Sequence, residues 1–345
     1  MKRFALVPLL LLATALADAQ TTAPAAPPTG LVVGSGNFFS PIVANLDKAV
    51  AFYRDGLGLT VQGQPGDATA NPALRDMFGL PDAKIRWVIA RPPATMGGVE
   101  IIEITDAGGK PLARNMQDPG TFTLLVIVRD MDGVLARLKT LGTPIMSSTG
   151  APASVPNGAN APPARMIMVR DPDGHFVEIV QPGELPAADS ATPPNVIEVR
   201  VRLTVADVPR SLKLFRDTLG MEPISESQFN ANPTVAGALG VPGARFRFGM
   251  LRIPASGIVF EVIEFADLPR QTVLGRIQDP GSTRIQLRVR NVDATIAALA
   301  PLGGAVISTG GKSLDLPAGN NKLKVAIVRE PDNLFLVLIE APPAG

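Results

Sequence analysis

The chain repeats itself at an interval of 161 residues, and this duplication constrains its fold more than any other feature. The segment ANPALRDMFGLPDAKIRWVIARPP, which begins at Ala70, parallels ANPTVAGALGVPGARFRFGMLRIP, which begins at Ala231. The tetrapeptide Gln-Asp-Pro-Gly at 117–120 recurs at 278–281 with the same offset. We therefore predict two homologous halves, at residues 31–182 and 196–342, joined by a Pro-rich linker at 183–195.

Each half contains a shorter repeat that predicts one supersecondary unit. Four segments start with an Asn or Asp, continue with apolar residues at helical spacing and end in Leu-Gly; they begin at Asn45, Asp130, Asp207 and Asn291. Asn and Asp are good N-caps, and Gly suits the left-handed position after a helix. A strand-like run precedes each helix, at 38–44, 123–129, 200–206 and 284–290, and about three short strands follow it. The pattern is therefore βαβββ, four times over.

The N-terminus has the features of an export signal. Lys2 and Arg3 precede an apolar run over 4–17, and Ala17-Asp18-Ala19 fits the small-x-small cleavage pattern. The run of 14 residues is shorter than the roughly 18 residues that a membrane-spanning helix needs. We predict a signal peptide over 1–19 with cleavage after Ala19, a Pro/Ala/Thr-rich spacer over 20–30, and a periplasmic or secreted protein.

The composition excludes several classes of site. The chain of 345 residues has no cysteine and a single histidine, His175, so it has no disulfide, thiolate nucleophile or Cys/His zinc cluster. A formal charge of +1 gives no reason to expect nucleic acid as a partner. His175 follows the turn Asp-Pro-Asp-Gly, and we expect it to be exposed there.

The βαβββ units resemble the vicinal oxygen chelate superfamily, which includes glyoxalase I, extradiol dioxygenases and bleomycin resistance proteins. The motifs that carry the resemblance are VANLDKAVAFYRDGLGL, VIVRDMDGVLARLKTLG, VRDPDGHFVEIVQ and LTVADVPRSLKLFRDTLGM. The resemblance implies an α+β fold in which four βαβββ units form two tandem domains with cupped mixed sheets. It permits the units to pair within a half or across halves, and the sequence does not decide between these arrangements.

Most activities of the superfamily use a divalent metal, and the resemblance implies where its ligands would lie. In this sequence the implied positions are Phe38, Glu103, Thr123 and Glu178 in the first half and Arg200, Glu264, Arg284 and Val337 in the second. Both imidazoles of the usual ligand set are missing, and a guanidinium cannot bind a cation. We therefore expect no cofactor and no tightly bound metal, although Glu103 and Glu178 could hold a hard divalent cation weakly.

Strand alternation predicts what the two cups contain instead. In the first half Phe38, Ser40, Thr123 and Leu125 share a face, which gives either an apolar ligand cavity with Glu103 and Glu178 inside it or a filled core. In the second half the same face carries polar side chains, namely Arg200, Arg202, Glu264, Arg284, Gln286 and Arg288. These arginines would bind an anion, form internal ion pairs or lie on a solvated face.

Three functions follow from these features. The first is an exported, metal-free protein that binds a small molecule, anionic or hydrophobic, in an apolar first cup and an Arg-lined second cup. The second is an enzyme, either a glyoxalase-like lyase, a dioxygenase or a carboxylate-based isomerase, with Glu103 and Glu178 as catalytic residues. The third is a structural role, in which the second half supports the first. No membrane partner is expected after signal cleavage, and the sequence leaves the ligand and the oligomeric state open.

Overall fold

The computed structural model of the protein describes residues 30–340, apart from short gaps at 64–65, 67–68, 70, 94, 96, 157–160, 188–189 and 319–320. The predicted signal peptide and nearly all of the spacer lie outside the described residues. Within the described part of the chain, no helix combines the length and the apolar character that a membrane crossing requires.

Four βαβββ units make up the described chain. Unit 1 comprises β1 (Val32–Ser35), β2 (Ser40–Val43), α1 (Leu46–Ala51), β3 (Thr60–Gln62), α2 (Pro72–Phe78), β4 (Lys84–Arg91) and β5 (Val99–Thr105). Unit 2 comprises β6 (Phe122–Val128), α3 (Met131–Thr140), β7 (Ala153–Val155), β8 (Ala164–Arg170) and β9 (Phe176–Gln181). The first half therefore contains two copies of the unit that the sequence predicts.

The second half repeats this order. Unit 3 comprises β10 (Val196–Thr204), α4 (Val208–Leu212), β11 (Glu222–Glu226), β12 (Asn230–Ala231), α5 (Pro233–Ala238), β13 (Arg245–Arg252) and β14 (Val259–Ala266). Unit 4 comprises β15 (Thr283–Val289), α6 (Val292–Leu299), β16 (Ala305–Val306), β17 (Leu314–Ala318), β18 (Asn321–Arg329) and β19 (Phe335–Glu340). Helices α1 and α4 continue as π-helical turns over Phe52–Gly56 and Lys213–Thr218, and α6 ends in a 3₁₀ turn.

The predicted helix ends are confirmed in all four units. The side chains of Asn45, Asp130, Asp207 and Asn291 each accept a hydrogen bond from the backbone N–H three residues further on. The Leu-Gly endings place glycines at positive φ, between 67° and 92°. Glycine adopts this conformation without the steric penalty of a Cβ atom, so each helix ends where its sequence requires.

Two mixed sheets form, and each combines one unit from each half. The ten-stranded sheet joins units 1 and 4, and the nine-stranded sheet joins units 2 and 3. The first strands of the paired units meet antiparallel, β2 with β15 and β6 with β10. The α+β class with two mixed sheets is confirmed, and the pairing that the sequence left open runs across the halves.

One face of each sheet, which we call the helix-covered face, packs against the helices that follow the first strands of its two units. The helix-covered faces of both sheets share one large core, in which the rings of Phe39 and Phe122 stack with centroids 5.6 Å apart. We call the opposite face of the ten-stranded sheet cup A; it is lined by Ile42, Ile102 and Val337 and covered by Phe78 of α2. The opposite face of the nine-stranded sheet is cup B, lined by residues such as Ile127, Phe248 and Ile263 and covered by Val235 of α5.

Candidate functional site

Each unit has an equivalent cup-facing position on the strand that lies beside its first strand. These four residues are Glu100, Glu178, Glu261 and Val337. The strand register places Glu178 opposite Leu125, Glu261 opposite Arg202 and Val337 opposite Gln286. Glu100 lies beside Ser40, between the paired residues Phe39 with Val99 and Ile42 with Ile102. Three carboxylates therefore enter the cups, two in cup B and one in cup A.

Three residues after each of these positions, a second polar side chain faces the helix layer instead. Glu103, Gln181, Glu264 and Glu340 accept hydrogen bonds from the first backbone N–H of α1, α3, α4 and α6, respectively. An odd spacing along a strand puts two side chains on opposite faces. The predicted placement of Glu103 and Glu264 inside the cups is therefore wrong, because the cup-facing carboxylates of their strands are Glu100 and Glu261.

Glu103 is held in its capping position by a second contact. Arg86 Nε donates to Glu103 Oε2 at 2.5 Å, and the Leu46 N–H donates to Glu103 Oε1 at 3.0 Å. Burial raises the pKa of the Glu103 carboxyl, but these hydrogen bonds outweigh it and leave the pKa below its usual value. Glu264 repeats the arrangement with Arg247 and the Val208 N–H. Both glutamates therefore cap the first turn of a helix.

We expect Glu103→Ala to lower the free energy of unfolding by about 1–2 kcal/mol, because the buried Leu46 N–H then has no acceptor. Glu103→Gln keeps an acceptor oxygen and should have a smaller effect. Denaturant unfolding followed by circular dichroism measures both variants. Loss of a ligand-dependent activity in a folded Glu103→Gln protein would contradict the structural role and favour the catalytic one.

The two predicted catalytic glutamates do not share a cup. Glu103 lies on β5 of the ten-stranded sheet, whereas Glu178 lies on β9 of the nine-stranded sheet. The expected first-half set is divided in the same way, with Phe38 and Ser40 in the sheet of cup A and Thr123 and Leu125 in that of cup B. The reason is the cross-half pairing, which puts each unit's cup face opposite a unit of the other half. No observation tests a catalytic role for either glutamate, and that role stays a prediction.

Cup B contains a buried ion triad. The Arg202 guanidinium donates through Nε to Glu261 Oε1 at 2.9 Å, through Nη2 to Glu261 Oε2 at 3.2 Å, and through Nη1 to Glu178. The side chain of Arg202 has no exposed surface, and those of Glu178 and Glu261 have 2% each. The predicted internal ion pair is thus present at Arg202, where the guanidinium is the cation between two carboxylates.

The triad has a formal charge of −1 in an apolar environment. Burial lowers the pKa of Arg202, but the two carboxylates outweigh it and raise that pKa. Burial raises the pKa of Glu178, and the negative charge of Glu261 adds to this effect against the opposing charge of Arg202. All three guanidinium nitrogens of Arg202 have partners, so cup B has no free donor at its centre.

Cup A contains a related cluster that is incomplete. Glu100 Oε2 accepts hydrogen bonds from Ser40 Oγ at 3.2 Å, Arg284 Nη2 at 2.8 Å and Gln286 Nε2 at 2.9 Å. Arg284 Nε and Nη1 are buried and have no hydrogen-bond partner, the only described side chain with two such atoms. The ring of Phe78 lies 4.5 Å from the Arg284 guanidinium carbon. Burial lowers the pKa of Arg284, and the charge of Glu100 partly offsets this.

The same sheet has an open cavity of about 450 Å³ along β4, lined by residues 85–89 together with Gln62, Gly66 and Thr69. Its wall includes Ile85, Trp87 and Ile89 of β4, and Trp87 is 40% exposed. Ile89 lies directly opposite Glu100 across β4 and β5, so the cavity wall is one strand away from the polar cluster, whose residues do not line the cavity. In unit 3 the corresponding side chains, Phe246, Phe248 and Met250, are buried. Trp87 on β4 is therefore accessible where Phe248 of unit 3 is covered.

The other predicted ligand-binding residues have structural surroundings. Phe38 is fully buried, and Leu125 is 5% exposed. The Thr123 hydroxyl donates to the Met116 sulfur at 3.7 Å. Arg200 donates to Glu198 at 2.6 Å, and Arg288 is exposed, as the solvated-face alternative predicts.

His175 is buried, so the prediction of an exposed turn histidine is wrong. Its Nδ1 lies 2.9 Å from Asp171 Oδ2, and its Nε2 lies 3.1 Å from the Ser282 carbonyl oxygen. A carbonyl can only accept, and the carboxylate also accepts from the Tyr53 hydroxyl, so both ring nitrogens carry protons. Burial lowers the pKa of His175, but Asp171 and the Ser282 carbonyl outweigh it and raise that pKa. Because Asp171 lies in the first half and Ser282 in the second, the His175 ring links the two halves of the chain.

The sequence matches a known protein family over part of its length. Residues 37–179 match the sequence model of the Glyoxalase/Bleomycin resistance protein/Dioxygenase superfamily. This part of the chain is thus similar to that superfamily. No curated protein matches the chain.

Solved structures extend the likeness over both halves. Glyoxalase I from Zea mays superposes with a TM-score of 0.56 and 19% identity, covering 90% of this chain and 92% of the maize chain. A putative dioxygenase from Bacillus subtilis superposes with a TM-score of 0.50 and 15% identity, covering 92% of this chain and 87% of that one. These superpositions show a shared fold, the tandem glyoxalase fold. The activity has to be inferred from the residues of the site.

The residues in the cups do not fit the metal that glyoxalase-type sites use. Of the ligand positions implied for the sheet of cup A, Phe38 packs in the shared core, Arg284 is a cation and Val337 is apolar, whereas the cup-facing Glu100 can bind a cation. In cup B the Arg202 guanidinium already lies between the carboxylates of Glu178 and Glu261. Among the described residues, no group of three or more His, Asp or Glu side chains is arranged to hold a metal ion.

Proposed function

We propose that the protein is an exported, metal-independent binding protein of the tandem glyoxalase fold, with its ligand site in cup A. The observation that carries this proposal is the presence, in one sheet, of an open cavity of about 450 Å³ along β4 and of a buried, incompletely paired arginine on β15. Binding sites for small molecules are typically apolar clefts of about 300–1,000 Å³ with a few convergent polar groups. Cup A has these properties, whereas the cup B core is packed and its charges are paired.

The proposal differs from the sequence prediction in the site's location. The sequence predicts one apolar cup and one Arg-lined cup, each within a half. The proposed site instead takes its apolar wall from β4 of unit 1 and its arginine from β15 of unit 4. Export rests on the signal-like sequence at 1–19, and a periplasmic or secreted location remains part of the proposal.

Binding to cup A is testable with 8-anilinonaphthalene-1-sulfonate, an amphiphilic anion whose fluorescence rises in apolar sites. Trp87 is the single tryptophan of the chain and lines the cavity, so energy transfer from it reports occupancy of cup A. We expect saturable binding near one probe per chain. Ile89→Arg, which places a long charged side chain in the cavity wall, should weaken binding at least about tenfold, because the apolar contact is lost. Leu274→Arg changes an apolar side chain that is 66% exposed and should leave binding unchanged.

The same protein, purified without a metal-binding tag or chelator, should contain far less than one metal per chain by elemental mass spectrometry. Addition of zinc, manganese, iron or magnesium should leave probe binding unchanged. A metal held tightly at one per chain, or probe binding that is equal in the wild type and Ile89→Arg, would refute the proposal. Loss of turnover in a folded Glu178→Gln variant, in an assay of lyase, dioxygenase or isomerase chemistry, would favour the enzyme instead.

A further inference from the structure

The two cups contain the same kind of polar cluster in different states of completion. In cup B, one arginine is held between two carboxylates, those of Glu178 and Glu261. In cup A, one arginine is held by a single carboxylate, that of Glu100, and has two unpaired buried nitrogens. The two arginines occupy non-equivalent positions of the repeat, since Arg202 lies opposite Thr123 and Arg284 lies opposite Ser40. Cup B is therefore a reference for the chemistry of a complete cluster and not for the position of its arginine.

The repeat also identifies which carboxylate cup A lacks. Glu100 of unit 1 corresponds to Glu261 of unit 3, since both lie on the strand that pairs parallel with the first strand. Glu178 of unit 2 corresponds in the same way to Val337 of unit 4. Val337 is apolar and buried on β19, the strand next to Arg284, and it faces cup A. The position that provides the second carboxylate in cup B is thus occupied by an uncharged residue in cup A.

Unpaired N–H groups on a buried guanidinium are unfavourable, because the donors lose water without gaining an acceptor. We infer that cup A binds an organic carboxylate, whose carboxyl group pairs with Arg284 in the way that Glu178 pairs with Arg202 in cup B. The inference rests on the proposed function and names the ligand class of the same site. Charge-assisted hydrogen bonds between guanidinium and carboxylate are among the strongest in proteins.

The rest of the ligand is defined by what surrounds the cluster. The cavity along β4, one strand away from Glu100, includes Ile85, Trp87 and Ile89 in its wall, so the proposed ligand has a hydrophobic body attached to the carboxylate. The ring of Phe78 covers the guanidinium from one side. The Glu100 side chain is 13% exposed, so solvent screens the extra negative charge better than in the closed cup B.

The first test uses an internal carboxylate and needs no knowledge of the natural ligand. Val337→Glu places a carboxyl group on the strand beside Arg284, and Val337→Gln is its neutral control. We expect the glutamate variant to be the more stable of the two at pH 7, and the order to reverse when Arg284→Met is present as well. Denaturant unfolding of the four proteins gives this double-mutant cycle. Val337→Glu that is no more stable than Val337→Gln with Arg284 intact overturns the inference.

The second test uses soluble probes and separates this inference from the proposed function. Binding of 3-phenylpropionate and of its neutral analogue 3-phenylpropionamide is followed by Trp87 fluorescence. We expect the acid to bind about 10- to 100-fold more tightly than the amide, and this preference to vanish in both Arg284→Met and Val337→Glu. Equal binding of acid and amide overturns the carboxylate inference and leaves the binding function standing. If neither probe binds and the glutamate at 337 still pairs with Arg284, then the cluster accepts a carboxylate and the proposed function fails.

Discussion

Arg202→Met is expected to lower the free energy of unfolding by about 3–5 kcal/mol, the cost of leaving a buried charge without its partner. The variant keeps the apolar stem of the side chain but removes the cation between Glu178 and Glu261. Arg54→Met is the matched control, since Arg54 forms an ion pair with Asp55 in which both side chains are about half exposed, and we expect no measurable change there.

The same variant should acquire a pronounced pH dependence. Burial already raises the pKa of Glu178, and loss of the opposing charge of Arg202 raises that pKa further above the unfolded value. A raised carboxyl pKa means that the folded state binds more protons than the unfolded state, so stability falls as the pH rises above about 4.3, the ordinary pKa of glutamate. Denaturant unfolding between pH 4 and pH 8 measures the effect. If Arg202→Met unfolds like the wild type at both ends of this range, the triad is not the electrostatic centre of cup B.

Replacing all three residues by methionine removes the charges together. Glu178→Met, Arg202→Met and Glu261→Met in one protein should restore most of the stability that Arg202→Met loses, because no uncompensated charge remains. Such a result would show that cup B needs a packed interior and not its ion pairs. It would also separate cup B from ligand binding, since the proposed site in cup A is left intact.

His175→Leu is expected to lower the free energy of unfolding by about 3 kcal/mol at pH 6, because Asp171 and the Ser282 carbonyl lose a buried charged partner. The raised pKa of His175 also predicts the sign of the pH dependence. The stabilisation is complete below the unfolded pKa of about 6.5 and disappears as the pH rises through the folded pKa. The wild type should therefore lose stability on going from pH 6 to pH 9 by a larger amount than His175→Leu.

Glu330 must be accounted for in this measurement. It occupies the turn of unit 4 that corresponds to Asp171, and Leu334 stands where unit 2 has His175. Burial, together with the nearby charge of Asp332, raises the pKa of Glu330 to about 8. Its proton release above the unfolded pKa also lowers stability with rising pH, so Glu330→Gln is needed to isolate the histidine contribution. A pH profile of His175→Leu that runs parallel to that of the wild type would contradict the buried imidazolium.

The two turns illustrate one physical rule. In these two turns, the buried carboxyl group either has a cationic partner or has a raised pKa. Asp171 has His175 and Tyr53 as partners, whereas Glu330 accepts only from backbone N–H groups in its own turn and from no imidazole. The cups follow the same rule, with Arg202 as the cation in cup B and Arg284 in cup A.

The sequence by itself determined the units and their local structure. Each helix start at an Asn or Asp and each Leu-Gly end depends on residues within one turn of the helix, so these features are readable from neighbouring letters. The duplication at 161 residues likewise predicted that every feature of one half has a counterpart in the other. The same repeat contained the signal for the cup-facing positions, because E-x-x-E at 100–103 and 261–264 aligns with E-x-x-Q at 178–181 and V-x-x-E at 337–340. In each of these four-residue segments the last residue caps the helix. Glu178 therefore corresponds to Glu100 and not to Glu103.

Only the tertiary structure decided which units share a sheet and which face of each strand forms a cup. A βαβββ unit has an open edge on its first strand, and its backbone groups can pair with any other copy, so no local pattern selects unit 4 over unit 2 as the partner of unit 1. The face of β5 was equally undetermined, since VEIIEIT is apolar on both sides and its strand is buried on both sides. Pairing across the halves then separated Glu103 from Glu178 and joined Glu100 to Arg284, 184 residues away. Contacts at that separation depend on long-range packing, which a reading of local periodicity does not contain.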